Sequence, residues 1–234
     1  MQLMAIAKNA TLISALNAHK KVPYRCQECA GIVFLRGGKE TQPHFFHKER
    51  HACRHDAKGP DHLHIQVRIQ KEINGSLLEE RFLDINRIAD ICSHNLKLII
   101  EIQCSSMSLL ELKTRTLDYE SLGYQIIWIL HTKVFFQKKI KPLEKFLEKR
   151  WHYFTDINEK GEGSIFDQIS SMQDGKREII GQAQPVSFST WPLKDLSMIR
   201  KAQRKKQAPQ LRVYLQGYLK TAFSMLLEHS CHGK

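Results

Sequence analysis

Acidic residues are in short supply. Asp and Glu number 24 against 36 Lys and Arg, a formal net charge of +12 over 234 residues. That balance disfavours a cationic partner and favours a polyanion, either nucleic acid or an anionic surface. Long hydrophobic runs are missing too: no uninterrupted apolar stretch approaches the roughly 20 residues of a membrane-spanning helix. The opening MQLMAIAKNATLISAL is broken by Lys8 and Asn9 and carries no secretory cleavage pattern, so the expected compartment is the cytoplasm. In that setting six cysteines argue for metal ligation or free thiols rather than disulfides. There is no internal repeat and no low-complexity tract. What remains is a globular composition, 42% apolar and 26% charged, with chain enough for one substantial core and a smaller module.

The positive excess is uneven. Residues from Phe136 onward hold 18 bases and 10 acids, a surplus of eight, and the part before them a surplus of four. The densest basic cluster is RKAQRKK, Arg200 to Lys206, either a track for a nucleic-acid backbone or a solvated helix face.

Near the N-terminus, Leu3 to Ala7 and Thr11 to Leu16 predict a small hairpin around Lys8-Asn9-Ala10. A second hairpin is expected around Gly37-Gly38. The pairs Cys26/Cys29 and His44/His47 form a C-x2-C…H-x2-H set, the donors that Zn²⁺ prefers in a closed tetrahedral site. The H-x2-H interval is one residue tighter than usual finger spacing, and His51, Cys53 and His55 stand ready as substitute ligands. The alternatives are buried thiols and polar histidines beside a phosphate-binding surface.

A polar link ends at Gly59-Pro60, and a helix is expected from Asp61 as N-cap. Leu77 to Leu83 reads as a strand with Glu79 and Glu80 exposed. The central stretch is Arg87 to Gln103, RIADICSHNLKLIIEIQ, two strands around a Ser93-His94-Asn95 turn. Alternation puts Glu101 and Gln103 on one face and Ile100 and Ile102 on the other, and a hairpin would bring Asp90 near Glu101. An isolated pair of this kind is ordinarily a surface feature. Here it sits in the most apolar run of the chain, where charge must be paired or bound to a cation, and paired carboxylates suit Mg²⁺. Ser108 and Glu111 predict a capping box opening a helix; Glu111, Arg115 and Tyr119 share one of its faces, and Gly123 ends it. Tyr124 to Leu130 is the next strand. The order helix, three strands, helix, strand implies an α/β core with a mixed sheet. Beyond it, a strand-like Val134-Phe135-Phe136, a basic helix carrying Leu143, Phe146, Leu147 and Trp151, and a closing helix over Leu211 to His229 predict a mainly helical region. The expected divisions are 1–58, 59–135 and 136–234.

Asp90, then Glu101-x-Gln103, then Ser105 resembles the core of the PD-(D/E)XK nuclease superfamily, and Glu111, Arg115 and Tyr119 ahead of GYQIIWIL are similar to the competence protein CoiA-like family. The superfamily's PD stands here as Ala89-Asp90 and its lysine as Gln103. The resemblance implies a zinc-finger-like N-terminal module and a nuclease-type site. There Asp90 and Glu101 hold Mg²⁺ or Mn²⁺, Gln103 orients water, Arg115 and His62 meet phosphate, and Tyr119 braces the site; Gln66 stands where the family carries a lysine. It also implies a DNA partner, single-stranded, handled for recombination during natural transformation together with recombination machinery. Two rival readings remain, a non-catalytic DNA-binding factor on the same fold and a defence or repair nuclease. Phe45, Phe46 and Trp151 are candidates for base stacking.

Overall fold

The computed structural model describes residues 1–38, 41–49, 53–147, 150–168, 170–173, 176–179 and 182–189. The basic run at 200–206 and the expected closing helix lie outside them.

The N-terminal part is an antiparallel sheet of β1 (Met4–Ile6), β2 (Leu12–Ser14), β3 (Pro23–Arg25), β4 (Ile32–Arg36) and β5 (His44–His47), in the order β2-β1-β3-β4-β5. The first turn forms because Asn9 Oδ1 accepts from the backbone and hydroxyl of Thr11 while Ala10 takes the left-handed conformation, φ 62°. Gly37 turns the chain after β4 at φ 125°, and a Cβ there would lie 2.7 Å from Pro43 Cα. Ala5, Ala15, Tyr24, Val33 and Phe45 make a core too small to be self-sufficient. Phe45 is among them, so it is buried rather than free to stack on a base.

A short 3-10 turn, Arg54–Ala57, leads to α1 (Pro60–Glu72). Its N-cap is Gly59, with Pro60 at the first helical position, where the missing N–H costs nothing. Asp61, expected as the cap, instead lies inside the first turn. Its carboxylate accepts from the His62 backbone and pairs with Lys133; Pro60 displaced it by claiming the helix start.

The larger sheet has seven strands, in the order β14-β11-β10-β9-β8-β7-β6. They are β6 (Leu77–Phe82), β7 (Arg87–Ser93), β8 (Leu98–Gln103), β9 (Gln125–His131), β10 (His152–Thr155), β11 (Ile165–Asp167) and β14 (Gln184–Pro185); β12 (Ser170–Gln173) and β13 (Lys176–Ile179) form a separate ribbon. The β6-β7-β8 pairs are antiparallel and the β8-β9-β10 pairs parallel. The crossover from β8 to β9 is α2 (Leu109–Ser121). Every residue of β8 is buried, because helices cover both faces of the sheet. On one face Ile65 and Ile69 of α1 pack against Ile91, Ile100, Ile102 and Ile127. On the other, Leu112 and Tyr119 of α2 pack against Ile99, Trp128 and Leu130, joined by Leu143 and Leu147 of α3 (Pro142–Leu147).

Beyond β9 the expected helical region is only partly met. Among the described residues it contains one helix, α3, and otherwise strands. The run His152-Tyr153-Phe154-Thr155 pairs parallel to β9, Tyr153 with Ile129 and Phe154 with Leu130. Its aromatic and β-branched side chains feed both core layers, and that tertiary pairing outweighs local helical periodicity. Strands on either side of residue 135, β9 and β10, thus lie in one sheet. No helix among the described residues is long and apolar enough to cross a membrane.

Candidate functional site

The β7-β8 register, Ile91 with Ile100 and Cys92 with Ile99, places Asp90 opposite Glu101. The ladder stops there, since Asp90 Oδ2 itself accepts the Ile102 backbone N–H at 2.8 Å. Residues two apart on a strand share a face, yet Ile91 and Ala89 lie in opposite core layers, as do Leu78 and Phe82. The pleat is therefore interrupted between them. Glu79, with φ 51°, marks the interruption on β6 and Asp90 marks it on β7.

Asp90 is 4% exposed. Its Oδ1 receives Lys58 Nζ at 2.8 Å and His62 Nε2 at 3.1 Å, and Gln66 Nε2 donates to its backbone carbonyl at 2.9 Å. Burial alone would raise this carboxyl, but His62 and Lys58 reverse the effect and hold it far below the usual range. Glu101, 1% exposed, receives Arg115 Nη1 on Oε2 at 2.9 Å. Its Oε1 is buried and is not taken up by Arg115, and the buried Tyr119 hydroxyl interacts with the same carboxyl. Burial raises the Glu101 carboxyl, Arg115 opposes the rise and the Asp90 charge adds to it.

Helix α2 delivers Arg115. Ser108 caps it, its Oγ accepting the Glu111 backbone N–H at 3.1 Å. The Glu111 side chain does not close the expected capping box. It accepts from Arg115 at 2.9 Å and from Arg87 at 2.7 Å, because two guanidinium groups outcompete one backbone N–H. Arg115 is thus fixed between Glu101 and Glu111. Gln103 Nε2 donates to the Ser105 carbonyl at 2.8 Å and hydroxyl at 3.2 Å.

These groups surround a cavity of about 460 Å³ lined by Lys58, His62, Asp90, Gln103 and Arg115, and by Glu28 and His55 from the N-terminal part. Glu101 lies outside that lining, behind Arg115. Two participants escape sequence reasoning. Lys58 reads as one more base of a polar link, and its only signal is a Gly-Pro tether directly ahead of the core's first helix. Glu79 was expected on the surface. It is fully buried instead, because the β6-β7 register sets it opposite Asp90 and Lys58 Nζ bridges the two, 3.0 Å from Glu79 Oε1. Glu79 Oε2 also accepts the Leu3 and Met4 backbone N–H groups, each at 3.0 Å.

A second constellation lies in the N-terminal part. Ligand atoms of Cys26, Cys29, His47 and Cys53 all fall within 4.8 Å of one another. Cys26 Sγ and Cys53 Sγ are 3.8 Å apart, and Cys29 Sγ and His47 Nε2 3.2 Å. Thiolates about 2.3 Å from a tetrahedral ion stand about 3.8 Å from each other, so the cluster could hold a metal such as zinc. His44, expected as a ligand, is not in the cluster. His44 and His47 are three apart on β5, an odd interval that sends them to opposite faces, and His44 Nδ1 donates to the Gln42 carbonyl at 2.9 Å. Cys53, one of the substitutes, takes its place. Burial raises both inner thiols, Cys53 to about 12; cation binding would reverse this, because the thiolate is the ligand.

Comparison with curated proteins and with solved structures gives no match. Two family models do match. Residues 7–56 fit "Competence protein CoiA, N-terminal domain" and residues 62–198 fit "Competence protein CoiA, nuclease-like domain". Lys58 falls between the two stretches. The nuclease-like match takes in Asp90, Glu101, Gln103 and Arg115 and more than half of the chain, so the protein belongs to the competence protein CoiA family.

Proposed function

We propose that the chain is a DNA-processing protein of natural competence whose nuclease-like site hydrolyses phosphodiesters with Mg²⁺ or Mn²⁺ held by Asp90 and Glu101. The observation that carries this reading is the pair of carboxylates, buried on adjoining strands where the ladder opens beside a cation-lined cavity. Hard oxygen donors suit these ions, and Glu101 Oε1 is a buried carboxylate oxygen that Arg115 leaves untaken. A bound divalent ion would supply Lewis acidity and an activated water. The chain's own residues do the rest. Arg115 faces the cavity and offers charge to phosphate. His62 and Gln66 fix Asp90 from α1, and Gln103 sets the Ser105 turn at the cavity rim. Zinc in the Cys26, Cys29, His47, Cys53 cluster would be structural, supporting a small β module. The partner is incoming single-stranded DNA in the cytoplasm, passed on to recombination.

The test is cleavage of single- and double-stranded DNA with Mg²⁺ or Mn²⁺, wild type beside Asp90→Asn and Glu101→Gln. Cleavage by wild type and its loss in both variants, with binding retained, is the expected result. Absence of cleavage by wild type would remove the hydrolytic reading.

One observation favours a second reading, a DNA-binding platform without hydrolysis. Each carboxylate already has an organic cation, Lys58 on Asp90 and Arg115 on Glu101, and the Gln103 amide is turned to Ser105. Salt-sensitive binding with no cleavage, unchanged in both variants, would mark that case.

A further inference from the structure

Gln103 cannot bring positive charge to the cavity from β8. Lys58 can, standing beside His62 at Asp90. Its ammonium touches Asp90 Oδ1 and Glu79 Oε1, its side chain is 14% exposed, and it lines the cavity. An ammonium has three donors, and these two carboxylates leave one for a third acceptor.

The placement of Lys58 is elaborately enforced. Glu79 has a left-handed backbone, fully buried, a conformation that persists only where its surroundings over-determine it. Those surroundings come from the N-terminal module: the Leu3 and Met4 N–H groups hold Oε2 and so aim Oε1 at Lys58. The Met1 backbone nitrogen donates to the His55 carbonyl at 2.5 Å, in the turn that leads to Lys58. A surface link with no task would need none of this.

We propose that Lys58 is a second phosphate-facing cation of the nuclease-like site beside Arg115, and that the N-terminal module completes the site by positioning it through Glu79. This rests on the reading of the cavity as a nucleic-acid site, whether or not it hydrolyses its ligand.

The experiment is binding of a short labelled oligonucleotide, single-stranded and duplex, to the full chain across a salt series without added divalent ion. Truncating Lys58 alone would leave two buried carboxylates face to face, so Lys58→Met is combined with Glu79→Gln, which keeps the net charge, and compared with the wild type. The double variant is expected to bind about fivefold more weakly or worse, with a salt slope lower by about one phosphate contact. Lys58→Arg keeps affinity and slope. Far-UV circular dichroism of each variant checks that it folds as the wild type does. If affinity and slope in the double variant equal those of the wild type, Lys58 is a strut and the proposal falls. If the wild type binds neither oligonucleotide, the nucleic-acid reading itself falls and takes this inference with it.

Discussion

At the scale of single residues, the site is a balance of buried charges, and each carboxylate feels that balance differently. Asp90 is held far below the ordinary carboxyl range by His62 and Lys58. A depressed carboxyl contributes stability above its unfolded value, near 3.9, and loses that contribution as pH falls below it. Between pH 5 and pH 3 the urea midpoint of the wild type should therefore fall more steeply than that of Asp90→Asn. Equal slopes would show that the Lys58 and His62 contacts do not stabilise the ionised form. Glu79 should be the costlier loss. It is the counter-charge of Lys58 and the acceptor for two backbone N–H groups, and breaking a buried pair costs about 3–5 kcal/mol. Glu79→Ala should lower stability by that order in chemical denaturation, and a change below about 1 kcal/mol would assign Glu79 to a solvated surface. Neither the burial of Glu79 nor the contact of Lys58 was legible in the sequence. Leu77 to Leu83 reads LLEERFL, with Glu79 one of three charged residues in a row, and only the register against β7 turns it inward.

At the scale of elements, local chemistry and structure agree where the signal is a cap or a period. Ser108 caps α2 as its spacing indicates. Ser108→Ala should cost about 1 kcal/mol in thermal or chemical denaturation and should loosen Arg115 through the frayed first turn. The metal cluster shows the opposite case. A histidine pair at i and i+3 reads as a ligand pair only if the chain between them turns, and on a strand it diverges. Cys53→Ser should therefore lower the zinc content of purified protein, whereas His44→Ala should leave it near the wild-type level. Zinc lost from both equally would mean that the cluster forms differently. Chelation should unfold the N-terminal sheet first, since that sheet lacks a core large enough to stand alone.

At the scale of the whole molecule, the two family segments share one cavity, and Glu28 and His55 line it beside Asp90 and Arg115. Loss of metal from the N-terminal cluster should therefore weaken DNA binding in the nuclease-like part, because the contacts that aim Lys58 through Glu79 come from Leu3 and Met4 at the start of β1. Binding measured before and after chelation, with far-UV circular dichroism to confirm that the larger sheet persists, would show it. Binding unchanged after the small sheet has melted would make the modules independent.

The sequence by itself determined the α/β core, the hairpin that sets Asp90 opposite Glu101, the cap of α2 and the cysteine pair of the candidate metal cluster. Each of these depends on neighbours a few residues apart: strand alternation, a hydroxyl at a helix start, two thiols across a turn. Tertiary structure decided the rest. It chose Cys53 over His44, buried Glu79, brought Lys58 to Asp90 and added β10 to the sheet where a helical region was expected. Those outcomes rest on partners separated by tens of residues, Leu3 with Glu79 or Ile129 with Tyr153. No local period or propensity encodes a contact of that kind, and only the packing of the two sheets fixes it.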